Sequence, residues 1–143
     1  NGNLKLIEKI NADNISNIFL YHGSVWDILN KLDNKEYFVL INIFFPDPWP
    51  KKRHSKRRLI NLNFLIEILK FMKKESKIHI CTDSEQYVRH IIKCIYELKH
   101  LYNWKNQFKL FFNYKDYELP HTKYYKKAIF LGNQPFFIEL IKY

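Results

Sequence analysis

Apolar positions fall into two rhythms along the chain, one of about 3.6 residues and one of short unbroken runs, and their order predicts the elements. Leu4, Ile7 and Ile10 lie one turn apart and predict an opening helix. After the polar cluster Asn11-Ala-Asp-Asn14, residues Asn17 to Tyr21 read as a short buried strand. Ser24 opens a second helix, with Val25, Ile28, Leu29 and Leu32 on one face and Asp27 three residues after the cap. Tyr37 to Phe45 is β-branched, aromatic and apolar almost throughout, as suits a central strand covered on both faces, and it stops at Pro46. Leu62, Leu65, Leu69 and Met72, flanked by Phe64, Ile68 and Phe71, form the stripe of a third helix that ends in Lys73-Lys-Glu-Ser76. Ile78 to Cys81 is the next strand. Thr82 and Glu85 read as a capping box for a helix with the face Val88, Ile91, Ile92 and Ile95. Phe108 to Phe112 and Phe136 to Ile141 are the last two strands.

Strands alternating with helices of roughly 10 to 15 residues predict an α/β fold: a mostly parallel sheet, helices on both faces and a hairpin-like C-terminal pair. Such sheets bind ligands beyond the C-terminal ends of their strands, which directs attention to the loops after Tyr21, Phe45 and Cys81. With no repeat, linker or low-complexity tract to divide it, the chain of 143 residues reads as one domain.

Charge sharpens this picture. Lys and Arg total 24 against 14 Asp and Glu, and six of the resulting +10, Lys51, Lys52, Arg53, Lys56, Arg57 and Arg58, fall within eight residues. Two cysteines, Cys81 and Cys94, sit in apolar periodic segments without CxxC or His-spaced partners and read as core thiols of a reducing compartment. The six histidines show no metal-ligand spacing, so no metal is expected. The longest apolar run falls short of the roughly 18–20 residues that span a bilayer, so no membrane partner is expected, and the placement expected is cytoplasmic, or an organelle if a targeting segment precedes Asn1.

The basic run follows Phe44-Phe-Pro-Asp-Pro-Trp-Pro50 at once. Prolines at 46, 48 and 50 fix φ and bias their predecessors toward extended geometry, so the loop is stiff and holds Asp47 and Trp49 in set directions. A carboxylate, an aromatic plane and six cations within a dozen residues suit a nucleic acid: cations neutralise phosphates, and a carboxylate accepts hydrogen bonds from the ring N–H and amine of guanine. The run alone reads equally well as a nuclear import signal or a solvated helix start. Asp47 could merely cap a turn and Trp49 pack on the core. Between Lys99 and Lys127, lysines interleaved with aromatics offer a second RNA-like surface, although the aromatics at 108, 111 and 112 read first as strand core and Lys123, Tyr124 and Tyr125 as a loop after Pro120.

Phe44-Phe-Pro-Asp-Pro-Trp-Pro-Lys-Lys-Arg-His54 with Lys56-Arg-Arg58 resembles the signature of the bacterial tRNA (guanine-N7-)-methyltransferase family. Thr82-Asp83-Ser-Glu85-Gln-Tyr87 is similar to its Thr-Asp-x-Glu-x-Tyr segment, and Thr122-Lys-Tyr-Tyr125 with Leu131-Gly132 to its C-terminal Thr-Lys-Phe-Glu segment and the strand after it. The resemblance implies a Rossmann-like methyltransferase that uses S-adenosylmethionine and tRNA. It implies Asp47 as the residue bridging cofactor and base, Lys51 and Asp83 as substrate contacts, and Thr122, Lys123, Tyr124 and Tyr125 as the remaining substrate segment. Lys52, Arg53, Lys56, Arg57 and Arg58 are then the RNA-facing basic patch.

This chain departs from the pattern in three ways. The family's glycine-rich cofactor loop belongs upstream of Asn3; His22-Gly23-Ser24 stands where an Asp near the adenine is usual, leaving Ser24 as a cofactor contact or only a helix cap; and Tyr125 replaces a Glu. These departures keep open a non-catalytic RNA-binding remnant as the alternative. In this fold the family's first two strands sit between the third strand and the strand whose loop bears Asp47, so a chain starting at Asn1 is expected to expose apolar sheet edges. The isolated 143-residue chain is accordingly expected to be poorly soluble or to bind S-adenosylmethionine negligibly; calorimetry showing micromolar binding by this chain alone contradicts that expectation.

Overall fold

The computed structural model describes residues 2–33, 35–107 and 120–143, in two compact units, one up to Leu32 and one from Asp33 onward. In the first unit, α1 (Gly2–Ala12) forms where the Leu4/Ile7/Ile10 spacing places it, with Leu4 and Ile7 on an exposed side. The strand expected at Asn17–Tyr21 does not form: the segment is irregular and Phe19 is 92% exposed. Its residues have strand propensity, but no described strand hydrogen-bonds to it, and propensity without a ladder does not hold a strand. The helix after Ser24 is α2 (Val25–Leu29), shorter than its apolar spacing suggests, and the capping box is present: Ser24 Oγ accepts from the Trp26 N–H at 3.3 Å while the Ser24 N–H donates to Asp27 Oδ2 at 3.2 Å.

The second unit is built on a four-stranded sheet of order β1-β2-β4-β3, with β1 at Phe38–Phe44, β2 at Met72–Thr82, β3 at Tyr102–Trp104 and β4 at Phe136–Lys142. β1 and β2 are parallel, whereas β4 runs against both β2 and β3. Three strands therefore share one direction and the C-terminal strand opposes them, as the sequence predicts. β4 pairs with β3, an antiparallel neighbour that the sequence reading does not include; the strand expected at Phe108–Phe112, and with it the hairpin-like pair, lies outside the described residues.

Three boundaries differ from the sequence reading. The third helix, α3 (Leu62–Ile68), gives way to a single 3₁₀ turn at Leu69–Phe71, and Met72 already belongs to β2. The polar group Lys73–Ser76 is instead a bulge within that strand, where the register slips between Phe38↔Met72 and Leu40↔Lys77 and Glu75 takes φ 61°. α4 (Glu85–Glu97) is capped by Ser84 rather than Thr82: Ser84 Oγ accepts from Tyr87 N–H, Thr82 Oγ1 accepts from Ser84 N–H, and Glu85 pairs with Arg89. Two hydroxyls two residues apart compete for the cap, and the one next to the helix wins. Finally, Lys123–Phe130 is a helix, α5, not a loop; Thr122 caps it by accepting from Tyr125 N–H at 3.2 Å.

Strand alternation sends Ile43, Ile78, Ile80, Ile138 and Leu140 to one face, all buried, beneath the buried sides of α3 and α4. Two buried tyrosines lock that layer: the Tyr102 hydroxyl donates to the Leu65 carbonyl, and the Tyr87 hydroxyl accepts from Ile60 N–H at 2.9 Å. On the opposite face Cys81 packs with Tyr125 of α5, beside Phe44 and Phe45. Both cysteines are buried free thiols.

Across the middle of this second face runs a polar row, Asn42, His79 and Glu139 in register, with His79 Nε2 3.2 Å from Glu139 Oε2 and its Nδ1 buried without a described partner. Burial lowers the pKa of His79 below 6.5 despite Glu139, and burial followed by the Arg58 charge lowers that of His90. Both rings take up protons more readily in the unfolded chain, so their contribution is complete above about pH 6.5 and is lost as pH falls through the lower folded values. The thermal midpoint is expected to drop from pH 7.5 to pH 5.5, and the double variant His79→Gln/His90→Gln to flatten that dependence; an equally steep profile in the double variant contradicts this.

Candidate functional site

The loop leaving β1 is stiff for the reason its prolines predict, and also strained. Phe45 has φ 51° and Trp49 φ 41°, left-handed values that bulky residues avoid and that residues before proline avoid further. Each such residue costs roughly 1–3 kcal/mol and persists only where its surroundings impose it. At Phe45 the imposing contact is the N–H bond to the Cys81 carbonyl, 2.7 Å, which carries the β1–β2 pairing one residue past the strand. At Trp49 it is a cage. The His54 ring meets the indole edge-on at 5.8 Å, and the Arg57 guanidinium lies 5.0 Å from the ring centre.

Between these two strained residues sits Asp47. It lines a pocket of about 240 Å³ with Phe45, Pro46, Pro48, Asp83, Tyr124, Lys127 and Leu131. The two loops that topology singles out, after β1 and after β2, thus deliver their carboxylates to one cavity. Asp83 precedes the α4 cap rather than entering the first turn, and Asn133 Nδ2 holds its Oδ2 at 2.8 Å. The first half of α5 borders the pocket, where the Tyr124 ring stacks on Phe45 at 6.3 Å and 24°. Cys81 beneath the floor is no nucleophile: burial, and then the Asp83 charge, push its thiol up to about 12.

The basic run folds into a short 3₁₀ helix, Lys52–Arg57. Side chains three apart eclipse in such a helix, which places His54 and Arg57 together on Trp49 and leaves Arg53 and Lys56 on another side. Lys51, Lys52, Arg53, Lys56 and Arg57 are exposed. Arg58 is not: it is 5% exposed, so it leaves the basic patch to which the sequence assigned it. Its guanidinium turns inward to the carbonyls of Pro48 and Trp49.

The C-terminal segment divides in the same way. Lys123 and Tyr124 are exposed and Tyr124 lines the pocket, whereas Tyr125 is 6% exposed and stacks on His121 at 4.6 Å, so its ring belongs to the core rather than to the substrate surface. Thr122 is occupied as the α5 cap. Ser24, in the other unit, is occupied as the α2 cap. Sequence reasoning missed Lys127 and Asn133. Lys127 follows Tyr124 by three residues, so recognising α5 as a helix would have put both on one face; Asn133 carries no local signal.

A family described as "Putative methyltransferase" matches residues 1–138. Relatives named tRNA (guanine-N(7)-)-methyltransferase include one from Buchnera aphidicola subsp. Schizaphis graminum, 37% identical over 82% of this chain and 48% of its own length. Another, from Neisseria meningitidis serogroup A, is 35% identical over 92% of this chain and 53% of its own length. The chain spans about half the length of these curated relatives. The match over residues 1–138, on a sheet whose loops converge at Asp47 and Asp83, shows that the chain belongs to this methyltransferase family.

Proposed function

We propose that the protein methylates N7 of a guanine in tRNA, with S-adenosylmethionine as methyl donor, in a cytoplasmic or organellar pool of tRNA. The observation that carries this reading is the pairing of a pocket of about 240 Å³ lined by two carboxylates with five exposed cations that follow its loop in the sequence. The names of the relatives support the substrate.

When bound, S-adenosylmethionine supplies an electrophilic methyl group on a sulfonium centre. Two carboxylates lining one cavity fit such a cationic centre, and Asp47 and Asp83 are the residues that would face it; the fit covers the reacting end only. Guanine N7 carries an in-plane lone pair, so the protein needs no general base there. Its task is placement, together with tolerance of the positive charge that arrives on the ring. Asp47 accepts hydrogen bonds from the guanine N1–H and exocyclic amine, which selects guanine and orients N7. Lys51, Lys52, Arg53, Lys56 and Arg57 hold phosphates, and Lys123 and Tyr124 with the Thr122 turn extend that surface from α5.

The carboxylates favour an enzyme over an RNA-binding remnant. A surface kept only for phosphate gains nothing from two acidic groups in its adjoining pocket, because they repel the ligand at short range.

In the full-length protein, Asp47→Ala is expected to lower methyl transfer to unmodified tRNA by about 10³-fold, with tRNA affinity changed less than about 3-fold. Labelled methyl transfer and mapping of the modified base measure both halves; normal turnover by the variant refutes the assignment. Lys51→Ala is expected to weaken tRNA binding across all sequences and to reduce the slope of log affinity against log salt by about one. An unchanged slope in a salt titration removes Lys51 from the phosphate contacts.

A further inference from the structure

Arg58 is a buried cation with no carboxylate partner among the described residues. Burying an unpaired charge is costly, so its donors must be engaged by fixed dipoles. They are. Nε–H donates to the Pro48 carbonyl at 2.8 Å, Nη2–H donates to the Trp49 carbonyl at 3.3 Å and to Gln86 Oε1 at 3.4 Å, and the guanidinium plane sits 5.4 Å from the ring centre of Tyr87.

These partners explain one another. A loop with prolines at 46, 48 and 50 has lost three N–H donors and cannot pair its own carbonyls in a turn. The carbonyls of residues 48 and 49, directly after Asp47, need donors from elsewhere in the fold, and Trp49 is held left-handed at the same point. Gln86 and Tyr87 lie in the first turn of α4, three and four residues beyond Asp83. One side chain therefore ties the loop that carries Asp47 to the helix start that follows Asp83.

We propose that Arg58 is a positioning residue, which fixes the Asp47 loop against the start of α4 and so sets the two carboxylates relative to each other, rather than a phosphate-binding member of the basic run. The inference rests on the reading of Asp47 as the residue that orients the base. Lysine cannot replace Arg58, because an ammonium has no planar fork to serve two successive carbonyls and an amide while lying on an aromatic face.

The test uses Arg58→Lys and Arg58→Ala in the full-length protein. For Arg58→Lys, kcat for tRNA methylation is expected to fall about 10²-fold with KM for tRNA within about 3-fold, as a small misplacement of a reacting group produces. Trypsin is expected to cut faster after Lys51, Lys52 and Arg53 under native conditions. Millimolar guanidinium is expected to restore part of the kcat of Arg58→Ala, which general destabilisation does not allow; if that variant does not fold, Arg58→Lys decides. A raised KM with kcat intact in Arg58→Lys identifies a phosphate contact and overturns the proposal, as do unchanged kcat and unchanged cleavage. Should the unaltered protein methylate no tRNA, the reading of Asp47 fails, and the cleavage rates still decide whether Arg58 braces the loop.

Discussion

A loop containing three prolines in five residues cannot satisfy its own backbone, and the surroundings of the site are organised around that shortage. Donors must arrive from other elements, and they do so from two directions. Phe45 N–H reaches back to the Cys81 carbonyl, so the loop is first an extension of the β1–β2 ladder. Arg58 reaches forward from beyond the 3₁₀ turn to the carbonyls of residues 48 and 49. Asp47 sits between these two anchors on a backbone that is left-handed at both ends. The strain, roughly 1–3 kcal/mol for each aromatic residue, is stored where a fixed carboxylate is useful, and the sheet pays for it.

The anchors work only if β2 and α4 are themselves immobile, which is the task of the buried layer beneath. Tyr87 belongs to both systems: its hydroxyl accepts from Ile60 N–H, and its ring lies under the Arg58 guanidinium. Burial raises its pKa to about 12, which keeps it a neutral phenol and leaves its ring face available to the cation. The hydroxyl of Tyr102 joins the far side of the same layer to the Leu65 carbonyl. Packing and site geometry thus share atoms, so a volume change at Tyr87 is transmitted to the Asp47 loop.

What was legible in the sequence depended on the range of the interaction that decides each feature. β1, β2, α4 and β4 were readable because dense apolar runs, each broken by a single polar residue, or a clean 3.6-residue stripe are buried wherever they fall. The Ser24 capping box was readable because both partners lie within four residues. Asn17–Tyr21 was misread, since its strand propensity could not report whether a neighbouring strand was present. Met72 was misread because its place on a helical stripe and its place at the head of a strand are equally apolar. α5 was missed because Pro120 and a run of lysines and tyrosines look like loop chemistry until Thr122 is seen capping Tyr125. At the site, Asp47 and Asp83 stood out by motif and by topology. Arg58 looked like its neighbours, because one of six adjacent cations turns inward only when carbonyls ten and nine residues earlier demand it.

That inward turn also settles how opposite charges coexist at one site. The five outward cations act at a distance, since the field of a basic surface reaches about 8–10 Å through physiological salt. The carboxylates act at contact. A carboxylate accepts from groups that offer donors and repels a group that, like a phosphate, offers only acceptors. Had Arg58 faced the pocket, it would have paired with Asp47 and occupied its acceptor oxygens. Its confinement among carbonyls, an amide and an aromatic ring keeps a positive charge near Asp47 without neutralising it through direct contact. The same side chain thus ties down the loop and keeps one cation of the run off the pocket's carboxylates, while the other five face outward.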